Sequence, residues 1–247
     1  FGYALSAGDF DGDGYDDIAV GCAPSSLAGR VYVYPGSADG PAVSAAAVLI
    51  GAASGDRQGS RVRAVGDING DGFDELVTGY VGPSDGGRGR IYAGSANGLD
   101  DLRWTPVPVN YGPRDIQPAG DVNGDGLADF VVGAGSNVTL VQGHVSGTPT
   151  VRFGGSGSVS SSELWLTGRT TGLGDADGDG FDDIALAILN NRILWHGSAT
   201  GYLPSSALPN YITVARAGDV NGDGKADLLL ALSDIYYVGT HNTAPPP

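Results

Sequence analysis

Asp9-Phe-Asp-Gly-Asp-Gly-Tyr-Asp-Asp17 decides how this chain is read, because the same stretch returns four more times. The copies are Asp67-Ile-Asn-Gly-Asp-Gly-Phe-Asp-Glu75, Asp121-Val-Asn-Gly-Asp-Gly-Leu-Ala-Asp129, Asp175-Ala-Asp-Gly-Asp-Gly-Phe-Asp-Asp183 and Asp219-Val-Asn-Gly-Asp-Gly-Lys-Ala-Asp227. Oxygen-bearing side chains fall at positions 1, 3, 5 and 9, and position 6 is always glycine. Alternate residues of a tight loop point inward, so the side chains at 1, 3 and 5 converge. Calcium takes about six to eight oxygen ligands in a flexible geometry, which such a loop can supply. Position 7 would add a backbone carbonyl, so its side chain is free to vary. Position 9 closes the cage with a carboxylate.

Five ligand sets follow from that spacing. They are Asp9, Asp11, Asp13, Tyr15 and Asp17; Asp67, Asn69, Asp71, Phe73 and Glu75; Asp121, Asn123, Asp125, Leu127 and Asp129; Asp175, Asp177, Asp179, Phe181 and Asp183; Asp219, Asn221, Asp223, Lys225 and Asp227. Magnesium demands stricter octahedral geometry and keeps more of its water, so it fits less well. Asp, Asn and Gly also build ordinary turns, but five copies with one ligand spacing favour a metal. A helix-loop-helix calcium site needs Glu at position 12, where Val20, Thr78, Val132, Leu186 and Leu230 stand instead. Short apolar runs follow each loop, such as Ile18-Ala-Val-Gly21 and Phe130-Val-Val-Gly133. These read as buried strands, which puts each loop inside a β-hairpin.

The chain has 247 residues and a formal charge of −15. Seventeen of its 28 acidic residues occupy ligand positions. Five divalent cations would bring the formal charge to −5, so the acidity is explained by metal chemistry. Without cations the clustered carboxylates repel one another and oppose folding. No basic stripe points to nucleic acid, and no apolar run approaches the ~20 residues of a membrane span. The single cysteine, Cys22, allows no intrachain disulfide and reads as a small buried hydrophobe. A chain starting at Phe1 reads as mature or excised, and calcium-dependent folding suits an extracellular or cell-surface, secreted setting.

First aspartates at 9, 67, 121, 175 and 219 are spaced by 58, 54, 54 and 44 residues. Periods of this size indicate propellers, solenoids or arrays. The first unit reads as strands at 3–8, 17–22, 30–34 and 45–50. The second reads as strands at 61–65, 75–80, 90–93 and 102–104. A four-stranded unit of this length matches a propeller blade. The predicted fold is therefore all-β: a single five-bladed β-propeller over 1–240, with repeats of about 1–57, 58–110, 111–162, 163–209 and 210–240. A Pro-rich tail covers 241–247.

Phe1-Gly2, Gly8-Asp-Phe-Asp-Gly-Asp-Gly-Tyr-Asp-Asp-Ile-Ala-Val-Gly-Cys-Ala-Pro24 and Gly29-Arg-Val-Tyr-Val-Tyr-Pro-Gly36 resemble an FG-GAP repeat, the repeat of the integrin α-subunit propeller and its bacterial relatives. The resemblance covers essentially the whole chain. It is fullest in the first two units; later ones keep the loop but lose Gly-Ala-Pro. The Gly-Asp-Val-Asn-Gly-Asp-Gly style is closer to bacterial members. Propellers of this family commonly have seven blades, whereas this chain holds five repeats. After a strand at 235–239 only Pro-rich sequence remains, so closure by an unusual register, a three-stranded last blade or removed flanking sequence all stay open.

The resemblance implies that calcium stabilises the blades while the opposite face recognises ligands. Segments 24–29, 81–88, 106–114, 154–162 and 204–211 are the expected ligand-face loops, with Trp104, Tyr111 and Tyr211 as candidate anchors. The expected function is a calcium-binding protein-recognition or cell-adhesion module. A lectin-like carbohydrate-binding propeller and a structural domain of a larger secreted protein are the alternatives. A lectin should repeat one aromatic set in every unit, yet Trp104, Trp165 and Trp195 fall at different repeat positions. An enzyme is not expected: His144, His196 and His241 stand apart with no supporting motif, and no Gly-x-Ser-x-Gly occurs.

Overall fold

A computed structural model describes residues 1–24, 26–52, 57–80, 88–100, 115–134, 137–144, 150–153, 169–188, 191–200, 203–208, 213–232 and 235–239. Among these, eighteen strands form five antiparallel sheets. The first sheet runs β1 (Leu5–Gly8), β2 (Asp17–Cys22), β3 (Arg30–Tyr34) and β4 (Ala47–Ile50), each strand paired with the next. The second contains β5 (Arg61–Ala64), β6 (Leu76–Tyr80) and β7 (Arg88–Tyr92). The third contains β8 (Asp115–Gly120), β9 (Asp129–Ala134), β10 (Asn137–Gln142) and β11 (Thr150–Phe153). The fourth contains β12 (Arg169–Gly174), β13 (Asp183–Ile188), β14 (Asn191–His196) and β15 (Leu203–Leu208). The fifth contains β16 (Thr213–Gly218), β17 (Asp227–Leu232) and β18 (Ile235–Gly239).

Each sheet is an up-and-down meander whose first hairpin carries one acidic loop. The first strands β1, β5, β8, β12 and β16 pack side by side in that order. All-β meanders arrayed along their first strands are the arrangement of β-propeller blades. Among the described residues, β16 does not pack against β1 as the consecutive first strands pack against each other.

Alternation along the strands builds the core between sheets rather than within one. In β3, Val31 and Val33 are buried while Arg30 is exposed. They join Phe10, Ala19, Val62, Leu76 and Tyr92 between the first two sheets. Val65, Ile68, Val77, Ile91, Ile116, Phe130, Val132 and Val141 fill the next interval. Ala119, Val122, Val131, Leu140 and Ile184 follow, then Leu173, Ala185, Leu194 and Leu228. Fully burying each large aliphatic side chain contributes about 1.5–3 kcal/mol. The close approach has a steric condition. On β2, a Cβ at Gly21 would drive into the backbone of Gly59 in the next sheet, so only glycine fits.

Most expected strands are found within two residues of their predicted bounds. One expected loop is not. Residues 204–208 lie in β15, an edge strand paired with β14 across a register shift between Ile193 and Trp195. Pro204 removes a ladder donor, a loss that an edge strand tolerates. Cys22 is also less buried than expected: it is a free thiol at the end of β2, only partly covered. The predicted strand at 102–104 and the predicted loops at 106–114 and 154–162 lie outside the described residues, as do 81–87 and the anchors Trp104, Tyr111 and Tyr211. Segment 24–29 connects β2 to β3, with Pro24, Ser26 and Leu27 exposed.

Candidate metal centre: five laced loops

Position 1 organises every loop. Its carboxylate accepts backbone N–H groups with both oxygens. Asp9 takes Gly12 N–H at 2.8 Å and Gly14 N–H at 3.0 Å. Asp67 takes Gly70 at 2.6 Å and Gly72 at 2.8 Å. Asp121, Asp175 and Asp219 repeat the pattern with Gly124 and Gly126, Gly178 and Gly180, and Gly222 and Gly224. Both glycines of each pair have positive φ, for example +73° at Gly12 and +88° at Gly14. That left-handed backbone turns successive N–H groups inward, and glycine adopts it without a Cβ penalty.

Positions 3 and 5 each brace the loop two residues on. Asp11 Oδ1 accepts Asp13 N–H at 3.3 Å, and Asp13 Oδ1 accepts Tyr15 N–H at 2.9 Å. Asn69, Asn123, Asp177 and Asn221 at position 3 do the same for Asp71, Asp125, Asp179 and Asp223. Those aspartates in turn receive the N–H of Phe73, Leu127, Phe181 and Lys225. Each of these side chains is thereby held by one oxygen; the Asn69 amide donates on to Glu75, and the Asn123 and Asn221 amides donate to Asp125 and Asp223. Where position 3 is aspartate, three carboxylates gather within 4.8 Å of one another: Asp9, Asp11 and Asp13, and Asp175, Asp177 and Asp179. An all-oxygen donor set of this kind suits a hard divalent cation.

Position 9 joins the loop to the sheet. Asp17 accepts Phe10 N–H with Oδ2 at 3.2 Å and Gly36 N–H with Oδ1 at 2.8 Å. Glu75 binds Ile68 and Gly94, Asp129 binds Val122 and Gly143, and Asp183 binds Ala176 and Gly197 in the same way. In the fifth loop Asp227 Oδ2 accepts Val220 N–H at 2.9 Å, and among the described residues its buried Oδ1 has no hydrogen-bond partner. These carboxylates are buried, and burial disfavours their charged form. It raises Asp17 and Asp183 above the ordinary aspartate value, pushes Asp129 up to about 7 and Glu75 up to about 8. Neighbouring loop carboxylates add to the rise, and the backbone N–H bonds oppose it. At the exposed position 1 of the last loop, the Gly224 N–H dominates and lowers the Asp219 value.

Consecutive loops are also tied to each other, which the sequence did not reveal. The position 8 N–H of each loop donates to the position 1 carbonyl of the loop before. The pairs are Asp74 to Asp9, Ala128 to Asp67, Asp182 to Asp121 and Ala226 to Asp175, at 2.8–3.0 Å. Where position 8 is aspartate the bond is returned: Asp9 N–H donates to Asp74 Oδ2 and Asp121 N–H to Asp182 Oδ2. Ser95, His144 and Ser198 add N–H bonds to the carbonyls of Phe10, Ile68 and Val122. These joints set all five loops along one side of the array.

The FG-GAP-like repeat profile matches residues 9–78 and 67–132, and the FG-GAP repeat profile matches 118–160. The chain belongs to the FG-GAP repeat family. It is 30% identical over 213 residues to Integrin alpha-PS2 of Drosophila melanogaster, covering 75% of this chain and 15% of that protein. It is 31% identical over 182 residues to Integrin alpha-5 of Xenopus laevis, covering 65% of this chain and 17% of that protein. The FG-GAP chain thus spans less than a fifth of the length of these relatives. Among solved structures it is similar in fold to an Agrocybe aegerita lectin described as recognising non-reducing terminal N-acetylglucosamine. The TM-score is 0.58 and the identity 16%, over 96% of this chain and 63% of that one. No helix in the described part of the FG-GAP chain is long and apolar enough to cross a membrane.

One residue that the sequence left without a supporting motif lies against the fourth of these FG-GAP loops. His196, at the end of β14, places Nδ1 2.9 Å from Asp177 Oδ2 and 3.2 Å from Asp183 Oδ1. Its signal was its place directly before Gly197, whose N–H binds the position 9 carboxylate.

Proposed function

We propose that this chain is a calcium-stabilised, five-bladed FG-GAP propeller, a single domain over 1–240, that acts as an extracellular protein-recognition or adhesion module. Its cations are structural. The observation that carries this reading is the five-fold repetition of one loop in which backbone N–H groups hold the side chains at positions 1, 3, 5 and 9 by their oxygens, with three carboxylates gathered where position 3 is aspartate. Asp9, Asp67, Asp121, Asp175 and Asp219 anchor the cages, positions 3 and 5 supply further oxygens, and positions 7 and 9 complete them. Calcium neutralises the gathered carboxylates, so its binding free energy becomes folding free energy. Recognition belongs to the face opposite the loops, on a scaffold the cations hold rigid. The integrin relatives support an adhesion role. Trp195 packs against the core between the third and fourth sheets and is not displayed as a sugar platform, which favours protein over glycan ligands.

Calorimetric titration of the metal-stripped chain with calcium, with the melting temperature recorded alongside, tests the proposal. About five sites and a large gain in melting temperature are expected. An unchanged melt in excess chelator would exclude a stabilising role. Binding to a glycan panel without binding to cell-surface proteins would favour the carbohydrate alternative.

A further inference from the structure

In four blades the residue preceding the glycine that binds position 9 is known: Pro35, Ala93, Gln142 and His196. Only the fourth offers a nitrogen ligand. His196 comes from β14, Asp183 opens β13 and Asp177 sits in the loop, so the pairing of β13 with β14 assembles the trio across the sheet. Their donor atoms lie within 4.8 Å of one another, and the Asp183 side chain is fully buried. Asp177 also belongs to the acidic trio with Asp175 and Asp179. The imidazole is thus added to the edge of an oxygen cage.

We propose that the fourth loop is a transition-metal site, taking a divalent ion such as zinc or cobalt through His196 Nδ1, Asp177 and Asp183. Imidazole suits zinc, copper and nickel, whereas carboxylate and carbonyl oxygens suit calcium and magnesium. One neutral nitrogen and two carboxylates balance a 2+ ion, with the ring proton on Nε2. The other four loops keep hard-cation preference, and the fourth takes calcium only when no transition-metal ion is supplied, as in the calcium titration of the metal-stripped chain. The proposal rests on reading the fourth loop as a cation cage but needs no calcium in any loop. The competing arrangement is a protonated imidazole bridging the two carboxylates with no ion.

The test is cobalt titration of the metal-stripped full chain, followed by visible absorption, with and without millimolar calcium. The variants are His196→Ala and His196→Gln, the latter keeping a hydrogen-bonding side chain of similar size. One equivalent of cobalt should bind with d–d bands of mixed nitrogen and oxygen ligation, resist excess calcium and be displaced by equimolar zinc. Both variants should lose at least about tenfold in cobalt affinity while calcium uptake at the remaining loops is unchanged. Equal cobalt affinity in wild type and variants, displacement by equimolar calcium, or no cobalt binding would each overturn the proposal. Failure of the calcium reading shows separately, as absent calcium heat in calorimetry, and leaves the cobalt result standing.

Discussion

The glycine at position 4 serves the neighbouring blade as well as its own loop. A Cβ on Gly12 would come within 2.6 Å of the Phe73 ring, one on Gly124 within 2.6 Å of Phe181, and one on Gly178 within 2.7 Å of Lys225. Position 7 of the following loop therefore lies over position 4 of the preceding one, and Lys225 Nζ donates to the Asp177 carbonyl. Gly14, at position 6, has positive φ but nothing within 4 Å of its missing Cβ. Gly14→Ala should cost only the backbone term, about 1 kcal/mol, whereas Gly12→Ala adds a packing clash of about 1–3 kcal/mol. Urea melts of the two variants in calcium measure the difference. Equal losses would mean that the Phe73 contact contributes nothing. The sequence showed that both positions are glycine-bearing turns. It could not show the second reason for one of them, because the clash partner lies 61 residues away. His196 was hidden for a related reason: its carboxylate partners reach it only through strand pairing.

At the level of the hairpin, the spacing of oxygens and the apolar run after them was enough to place β2, β3 and β18 at their observed bounds. A two-residue period and a fixed turn leave little freedom. The last strand of the fourth sheet was harder, because its sequence lacks the alternating apolar pattern. Residues 204–208 carry Pro and Ser, and their pairing with β14 depends on what that strand offers. Three hairpins also have a register shift just before the loop, at Pro118/Gly120, Gly172/Gly174 and Arg216/Gly218. A bulge of this kind re-aims the side chain that follows, here the position 1 aspartate. Because the cage closes its own hairpin, damage to it should stay local. In Asp71→Ala with calcium present, amide exchange should rise across 61–80 and change little in the first and fourth sheets. Unchanged exchange in 61–80 would remove Asp71 from the ligand set.

Across the molecule, stability is a sum of sheets and of the joints between them, as in other repeat proteins. The sign of its pH dependence should reverse with calcium. In the metal-free fold Glu75 and Asp129 hold protons up to about 8 and about 7, well above their ordinary values of 4.5 and 3.8. The folded state then binds more protons than the unfolded one between about pH 4 and 8, so stability falls as pH rises through that window. Calcium requires the ionised carboxylates, and its binding releases protons. With calcium the melting temperature should hold or rise from pH 5 to 8, while with chelator it should fall. Parallel curves in the two conditions would mean that the buried position 9 groups do not face the ion.

The sequence could count the loops but not the joints. Position 2 shows why that matters. Phe10, Ile68, Val122 and Ala176 are buried against the next sheet, while Val220 is 61% exposed. Position 4 of the same loop, Gly222, likewise has nothing within 4 Å of its missing Cβ. In every joint the backbone bond from position 8 runs from a donor on the later sheet to an acceptor on the earlier one. The row therefore has an arrow. Among the described residues, its first member keeps an unused tongue, the Asp16 amide beside the exposed Tyr15, and its last an unused groove around Asp219 and Val220. Tongue and groove are unlike, so two first sheets cannot mate through this joint, nor two last ones. Any extension that reuses it must proceed head to tail, in one sense only.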